Sequence, residues 1–229
     1  MYKMYIMPYR FEPCYTGEIY HIFNRSVGQQ SIFSNSSFYT RFCDLMSYYR
    51  FDKPPYRFSE YIRLPMQAQL ESYKRLTSQK QLVDILTFCI MPNHFHMLLR
   101  QKQDDGIRRF ATIIQNAYAK YFNTKTNRSG AVFQAMFKSV RIETDDQLLH
   151  VARYIHLNPY SAKIVTSLSD LENYPWSSFV IYMGHLKGDW MEQNTLLSYG
   201  KTIEALKKYT FDQADYQRLL SVESHLYHD

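Results

Sequence analysis

The chain has 229 residues, 45% hydrophobic and 21% charged, a globular composition that excludes collagen-like, low-complexity and wholly disordered proteins. A net charge of +6 and an aromatic content of 17% favour nucleic acid as a partner, because cations attract phosphates and aromatic rings stack on bases, although aromatic residues also fill cores. No stretch reaches the roughly 20 apolar residues of a membrane helix. Met1–Cys14 lacks a signal-peptide pattern, and the three scattered cysteines suit a reducing cytoplasm.

The first third of the chain predicts a strand followed by two helices. Residues 17–25 are rich in β-branched and aromatic side chains and predict the first strand. Residues 34–36 offer N-caps for a helix that runs to about Tyr49. Pro54-Pro55 breaks that helix, and residues 66–78 predict an inserted helix.

The middle of the chain predicts a long apolar strand and an amphipathic helix. Residues 83–90 form an apolar run too short for a buried helix, so they predict a strand that residues 94–100 resume after a kink at Pro92. From 106 to about 123 apolar residues recur at helical spacing. Residues 124–130 predict a basic, polar loop.

The last part predicts one more strand and two helical regions. Residues 131–142 alternate well enough for a strand or hairpin arm. Residues 144–146 cap a helix that is expected to end at Asn158-Pro159, since proline disfavours helical geometry in the preceding residue. Residues 189–229 predict a largely helical tail.

This order of elements predicts an α+β fold: a ferredoxin-like (RRM-like) antiparallel sheet with helices on one face, plus an inserted helix and a helical C-terminal tail. The open face would be available to a ligand. The expected organisation is a main domain at 1–185, with an insertion at about 51–80, and a C-terminal extension at 186–229.

His94 and His96 flank Phe95 on a predicted strand. Residues two apart point to the same face of a strand, so the two imidazoles converge and offer half a metal site. A lone His-x-His motif is weak evidence, because it often arises by chance, and two polar histidines on a strand face are then the better explanation.

Tyr154 and Asn158 lie four residues apart near the end of a predicted helix and share a helix face. A nucleophile and an oxygen ligand could therefore point at one metal-bound phosphate. A core tyrosine and a helix-terminating asparagine would give the same spacing. Tyr118 and Tyr121 are the competing tyrosines, but their strongly periodic helix favours packing or base stacking.

Four motifs in consistent order carry a family resemblance: MPNHFHMLL at 91–99, GAVFQAMFKSV at 130–140, RYIHLNP at 153–159 and PWSSF at 175–179. From about Gly17 to Tyr182 the chain resembles the REP-associated tyrosine transposases, within the single-tyrosine (Y1), IS200-like HUH transposase superfamily. The main domain at 1–185 would then be the catalytic domain. In IS200-type relatives the position of Asn158 is more often glutamine, and either amide offers a carbonyl ligand.

The resemblance implies a metal-dependent single-stranded DNA endonuclease and strand transferase that cleaves near hairpin sequences. Tyr154 would be the nucleophile and form a 5′-phosphotyrosine intermediate. His94, His96 and Asn158 would hold a divalent metal, Mg²⁺ or Mn²⁺, with zinc also open on ligand chemistry. His21, on the first strand, could also approach this site, but we expect it to be a residue of the sheet or one that supports the ligands.

The expected partner is single-stranded DNA with a hairpin, in a cytoplasmic, nucleoid-associated setting, with no organic cofactor and with a monomer favoured over a dimer. The basic residues predicted to follow the DNA backbone are Arg108, Arg109, Lys120, Lys125, Arg128, Lys138 and Arg141.

Two alternatives fit the same sequence. A domesticated protein could bind hairpin DNA or RNA without catalysis, and a metal-dependent phosphodiesterase could use water as its nucleophile. A covalent DNA adduct would distinguish the transposase from both.

Overall fold

The structure is a computed structural model that describes residues 13–200 and 202–219, so the expectations about Met1–Cys14 and about the end of the tail lie largely outside it. The strands are β1 (Ile19–Arg25), β2 (Val83–Met91), β3 (His94–Gln101) and β4 (Lys138–Ile142). The helices are α1 (Ser36–Tyr49), α2 (Phe58–Tyr61), α3 (Met66–Thr77), α4 (Gly106–Thr126), α5 (Asp145–Ser161), α6 (Leu168–Glu172), α7 (Phe179–Tyr182), α8 (Asn194–Gly200) and α9 (Ile203–Phe211).

The four strands form one antiparallel sheet in the order β2-β3-β1-β4. With α1 between β1 and β2 and α4 between β3 and β4, this is the ferredoxin-like arrangement. The predicted α+β fold is confirmed. The inserted helix is α3, and the described part of the tail contains α8 and α9.

α1 and α4 cover one face of the sheet. The Asn24 side chain of β1 donates to Gln115 of α4 at 2.6 Å, and the ring of Phe95 on β3 lies 5.1 Å from that of Phe42 on α1. Successive strand residues point to opposite faces, so the neighbours of Asn24 and Phe95 along their strands point away from these helices. The histidines of β3 therefore lie on the other face.

That other face is only partly open. α5 packs against β2, β3 and β4, so helices cover both faces rather than one. The side nearer β1 and β4 is more exposed, with Val140 of β4 at 48%. The face that was expected to be open to a ligand is thus reduced to a cleft beside α5.

Two predicted boundaries differ from the structure around β2 and β4. The chain does not kink at Pro92 within one long strand: it reverses there, and β2 and β3 pair as an antiparallel hairpin with Met91 opposite His94. β4 begins only at Lys138, because residues 131–137 are irregular and attach through a single bridge between Ser26 and Phe133.

α5 also continues beyond its predicted end. Thr144 caps its start by accepting a hydrogen bond from the Gln147 amide, as expected. Its end is at Ser161, with Pro159 inside the helix. Pro159 has no N–H to donate, but it lies in the last turn, and the buried packing of Leu157 and Tyr160 offsets the lost hydrogen bond.

The PWSSF segment covers the outer edge of β2. The Ile90 amide donates to the Trp176 carbonyl at 2.8 Å and the Ser178 amide to the Phe88 carbonyl at 2.9 Å. Farther along, the Glu192 amide donates to the carbonyl of Ile85. The C-terminal extension therefore packs onto the sheet. Within residues 13–200 and 202–219, no helix combines the length and the apolar character needed to cross a membrane.

Candidate active site

His94 and His96 lie side by side on β3, on the face that α5 covers in part. Their ring centroids are 5.2 Å apart and the rings are nearly perpendicular, at 88°. His96 is only 7% exposed, while His94, at the start of the strand, is partly exposed. The same-face placement predicted from the spacing of the two residues is what the strand provides.

Each of these histidines uses its Nδ1 atom for a hydrogen bond within the protein. Nδ1 of His94 lies 2.6 Å from Oδ1 of Asn93, and because that oxygen can only accept, Nδ1 is the donor. Nδ1 of His96 lies 2.9 Å from Nε2 of His21 on β1. Both residues can therefore keep Nε2 unprotonated, with its lone pair free for an outside ligand.

The three imidazoles are neutral near pH 7. Burial lowers the pKa of His21 and of His94 to about 4, and the charge of Arg25 adds to the shift at His94. Burial lowers the pKa of His96 well below its ordinary value, and its neighbours His21 and His94 lower it further. Neutral imidazoles are the form that binds metal ions.

Tyr154 stands over these rings from α5. Its ring centroid is 5.5 Å from that of His96 and 6.1 Å from that of His21, edge-on in both cases. The residue as a whole is 41% exposed, so part of it faces solvent. Asn158, one turn later, donates from Nδ2 to the Tyr154 carbonyl at 2.8 Å, which leaves its Oδ1 as the acceptor available to a cation.

The environment of Tyr154 acts on its hydroxyl in two directions. Burial raises the pKa of the phenol, whereas the Asn158 side chain and the charge of Arg25 lower it. The net pKa is above the ordinary value, so the phenol is protonated near pH 7. To act as a nucleophile, this oxygen would have to lose its proton.

Arg25 is a site residue that the sequence analysis did not identify. It ends β1, pairs across the sheet with His94, and is exposed. It lies on the same strand face as His21 and Phe23, because the three residues alternate along β1. The signal that could have found it is this alternation, His21-x-Phe23-x-Arg25, but its meaning depends on which strand pairs with β1.

The competing tyrosines lie on the opposite side of the sheet. Tyr118 is fully buried under α1 and donates its hydroxyl to the Ile32 carbonyl at 2.6 Å. Tyr121 packs against Phe38, with the guanidinium of Arg41 over its ring at 4.5 Å. Neither is close to the histidines, so packing explains both.

The seven basic residues predicted to follow DNA are divided between the two faces. Lys138 of β4 lies on the histidine face, 5.9 Å from the ring centroid of Phe23. Arg141, at an odd spacing from Lys138, belongs to the other face, where it pairs with Glu18 at 3.0 Å. The five others belong to α4 and the turn that follows it.

Those five differ in what they contact. Arg108 forms an ion pair with Asp105, and Arg109 forms one with Asp52. Arg128 donates to Gln30 at 2.8 Å, close to the β2-β3 turn, because Asn93 in that turn donates to the neighbouring Gln29 carbonyl. The remaining two, Lys120 and Lys125, are exposed.

The chemistry of His94, His96 and Asn158 suits a divalent metal, although they are not a cluster of acidic residues and histidines. Among residues 13–200 and 202–219, no group of three or more His, Cys, Asp or Glu side chains is arranged to hold a metal ion. Two neutral imidazoles with free Nε2 atoms and one amide oxygen suit borderline cations such as Mn²⁺, with further positions left for phosphate oxygens. His94, His96 and Asn158 are the residues that would supply these atoms.

Comparisons with known proteins give one family match and a similar solved structure. Residues 53–158 match the family described as "Transposase IS200 like", a stretch that contains β2, β3, α4, β4 and most of α5. A comparison with curated proteins gives no match. Among solved structures, the chain is similar to a REP-associated tyrosine transposase bound to a REP hairpin, with a TM-score of 0.52 and 14% identity over 83% of this chain and 96% of that one.

At 14% identity, the similarity to the solved structure shows a shared fold. The family match is a similarity of the amino-acid sequence over residues 53–158. The predicted resemblance is therefore confirmed: residues 53–158 match the IS200-like transposases, and the chain shares its fold with a REP-associated tyrosine transposase.

Proposed function

We propose that this chain is a metal-dependent single-stranded DNA endonuclease and strand transferase, a transposase that cleaves near hairpin sequences through a 5′-phosphotyrosine. The observation that carries the proposal is the half-exposed phenol of Tyr154 placed 5.5 Å, ring to ring, from a histidine whose neutral imidazole can bind a metal. The match of residues 53–158 to the IS200-like transposase family supports the proposal.

In the proposed reaction the Tyr154 oxygen attacks the phosphorus of a DNA phosphodiester. A bond forms between that oxygen and phosphorus, and the bond from phosphorus to the 3′ oxygen breaks. Overall the phenol loses its proton and the leaving 3′ oxygen gains one. The phosphotyrosine keeps the energy of the phosphodiester, so a 3′-OH can reverse the attack and join a new strand without ATP.

His94, His96 and Asn158 are the proposed metal ligands. When bound there, Mg²⁺ or Mn²⁺ would polarise the scissile phosphate. The hydrogen bonds at Nδ1 of each histidine fix the rings so that both Nε2 atoms stay available.

The proposed partner is single-stranded DNA that carries a hairpin. The open side of the cleft, beside β1 and β4, offers the aromatic ring of Phe23 and the cation of Lys138, which suit bases and phosphates respectively. The structurally similar transposase is bound to a REP hairpin. We place the protein with DNA in the cytoplasm and propose that it acts as a monomer, with residues 1–185 as the catalytic domain.

The test is a covalent adduct with DNA. A library of hairpins with randomised single-stranded flanks and a fluorophore at the 3′ end is incubated with the protein and Mn²⁺, then run on a denaturing gel. A 5′-phosphotyrosine keeps the labelled end attached to the protein. We expect the adduct in the wild type and in Tyr121→Phe, and none in Tyr154→Phe, which should still bind the hairpins within about twofold because it loses only one hydroxyl.

Three other outcomes contradict the proposal. An adduct that survives in Tyr154→Phe and disappears in Tyr121→Phe would assign the nucleophile to the other tyrosine. Cleavage without an adduct would indicate a phosphodiesterase that uses water. Hairpin binding with neither cleavage nor an adduct would favour a domesticated binding protein without catalysis.

A further inference from the structure

Arg25 is a cation at the site with no carboxylate to neutralise it. Its side chain is exposed at the end of β1, and none of the ion pairs among the described residues includes it. Its backbone is held firmly, since its carbonyl accepts from the Gln134 amide at 2.9 Å and the next residue bridges to Phe133. An exposed cation on a fixed backbone, without a partner, is free to bind an anion.

The position of Arg25 is set by the pairing of β1 with β3. Arg25 lies opposite His94, and Phe23, two residues earlier, lies opposite His96. Directly paired residues of an antiparallel sheet point to the same face with their Cβ atoms about 5 Å apart. The side chain of Arg25 therefore starts beside that of His94, next to the turn whose Asn93 orients His94, and its guanidinium is within reach of the histidine pair.

Two of the basic residues predicted to follow DNA are ion-paired away from the histidines. Arg109 is paired with Asp52 on the far face, and Arg141 with Glu18. Lys138 shares the histidine face but lies over the Phe23 ring. The charge of Arg25 reaches the site, because it lowers the pKa of His94, of His96 and of Tyr154.

We infer that Arg25 binds the phosphate that Tyr154 attacks, donating from its guanidinium to the non-bridging oxygens. The planar fork of donors matches two phosphate oxygens, which a lysine cannot do with one point charge. During attack these oxygens gain negative charge, so the contact strengthens in the transition state. This inference rests on the proposed function, and it makes Arg25 a catalytic residue rather than a general contact to the DNA backbone.

The first arm of the test needs no DNA. Inorganic phosphate is titrated into ¹⁵N-labelled protein, and the ring signals of His94 and His96 are followed by NMR. We expect phosphate to shift them in the wild type and in Arg75→Met, a matched loss of an exposed arginine on α3. In Arg25→Met the apparent affinity for phosphate should fall about tenfold or more, because a charge-assisted contact is lost.

The second arm uses a hairpin recovered from the adduct assay, with one non-bridging oxygen of the cleaved phosphate replaced by sulfur. Arg25→Met should form the adduct about 100-fold more slowly than the wild type, with hairpin affinity within about threefold. One sulfur diastereomer should slow the wild type but have little further effect on Arg25→Met. Arg25→Lys should recover part of the rate but not the wild-type response to sulfur.

The outcomes separate this inference from the function on which it rests. If the wild type forms no adduct, the proposed function fails, and the phosphate titration alone decides whether Arg25 binds phosphate. If Arg25→Met forms the adduct at the wild-type rate, or if its hairpin affinity falls as much as its rate, the inference is overturned. Histidine signals that respond to phosphate equally with and without Arg25 overturn it as well.

Discussion

At the scale of single residues, each of the two histidines of β3 has one ring nitrogen left for an outside ligand. The Nδ1 of His94 is taken by Asn93 and that of His96 by His21, which leaves Nε2 of both rings for an outside ligand. An imidazole in the role of His21 is a supporting acceptor, like the carboxylates that often hold metal-binding histidines. Its low pKa keeps it neutral and able to accept.

His21 should therefore affect metal binding without touching the metal. We expect His21→Phe, which cannot accept the hydrogen bond from His96, to weaken Mn²⁺ binding about tenfold or more. His21→Gln places an oxygen near the position of the lost Nε2 and should stay within about threefold of the wild type. Mn²⁺ titration followed by electron paramagnetic resonance measures both. Equal affinities for the two variants would show that the His21 contact does not orient His96.

Sequence spacing could predict which residues lie together only where they belong to the same strand or helix. A period of two placed His94 and His96 on one face, and a period of four placed Tyr154 and Asn158 together on a helix. Arg25 and the hydrogen bond of His21 were not predictable in this way, because they depend on which strand lies beside β3 and in what register.

At the scale of elements, Ser178 joins α5, the helix that carries Tyr154, to the edge of the sheet. Its hydroxyl accepts from the Phe88 amide of β2 at 2.9 Å and lies 2.9 Å from Nε2 of His156 on α5. All of these groups are buried, and His156 is 0% exposed. This serine therefore helps to set where α5, and with it Tyr154, sits over the histidines.

Removal of that hydroxyl should cost stability. Ser178→Ala leaves the Phe88 amide and the His156 ring without a buried partner, so we expect the free energy of unfolding to fall by about 2 kcal/mol. Ser198→Ala removes an exposed serine hydroxyl and should change it by less than about 0.5 kcal/mol. Urea denaturation of the two variants makes the comparison. Similar losses in both would mean that the buried contacts contribute little.

Sequence patterns located most elements but not all of their ends. The Asn35 cap of α1 and the Thr144 cap of α5 act over one helical turn, and both were predictable. Proline gave the wrong boundary twice. At Pro92 a tight hairpin replaces the expected kink, and at Pro159 the packing of the last helical turn outweighs the local preference against proline.

At the scale of the whole molecule, buried neutral histidines make the fold sensitive to acid. Burial lowers the pKa of His156 to about 3 and those of His21 and His94 to about 4. The unfolded chain binds these protons near the ordinary value of 6.5, so below that pH it holds more protons than the native state. Stability is then full above about pH 6.5 and falls as the pH drops towards 4.

The expected slope is about 1.4 kcal/mol per pH unit for each such histidine below 6.5. His156→Gln removes one of these histidines. Between pH 6.5 and 4.5 the free energy of unfolding of this variant should therefore fall less steeply than that of the wild type, by the contribution of about one proton, even if the variant is less stable at pH 7. Guanidinium denaturation at several pH values measures the slope. Identical slopes in the wild type and the variant would contradict the view that His156 stays neutral in the folded protein.

The overall fold class followed from the order of elements, but the covering of the sheet did not. Nothing in the spacing of α5 indicated that it lies on the face opposite α1 and α4, because its apolar residues would suit either face. That placement turns an open sheet into a cleft bounded by β1, β3 and α5, and it is what brings Tyr154 next to His96.

The most direct test of this account is the identity of the amino acid that bonds to DNA. The adduct formed with the hairpin library is digested with nuclease and trypsin, and the nucleotide-bearing peptide is sequenced by tandem mass spectrometry. We expect the nucleotide on the peptide of residues 154–163, with fragmentation that places it on Tyr154 and not on Tyr160. A nucleotide on Tyr160, on Tyr121 or on any other residue would contradict the account.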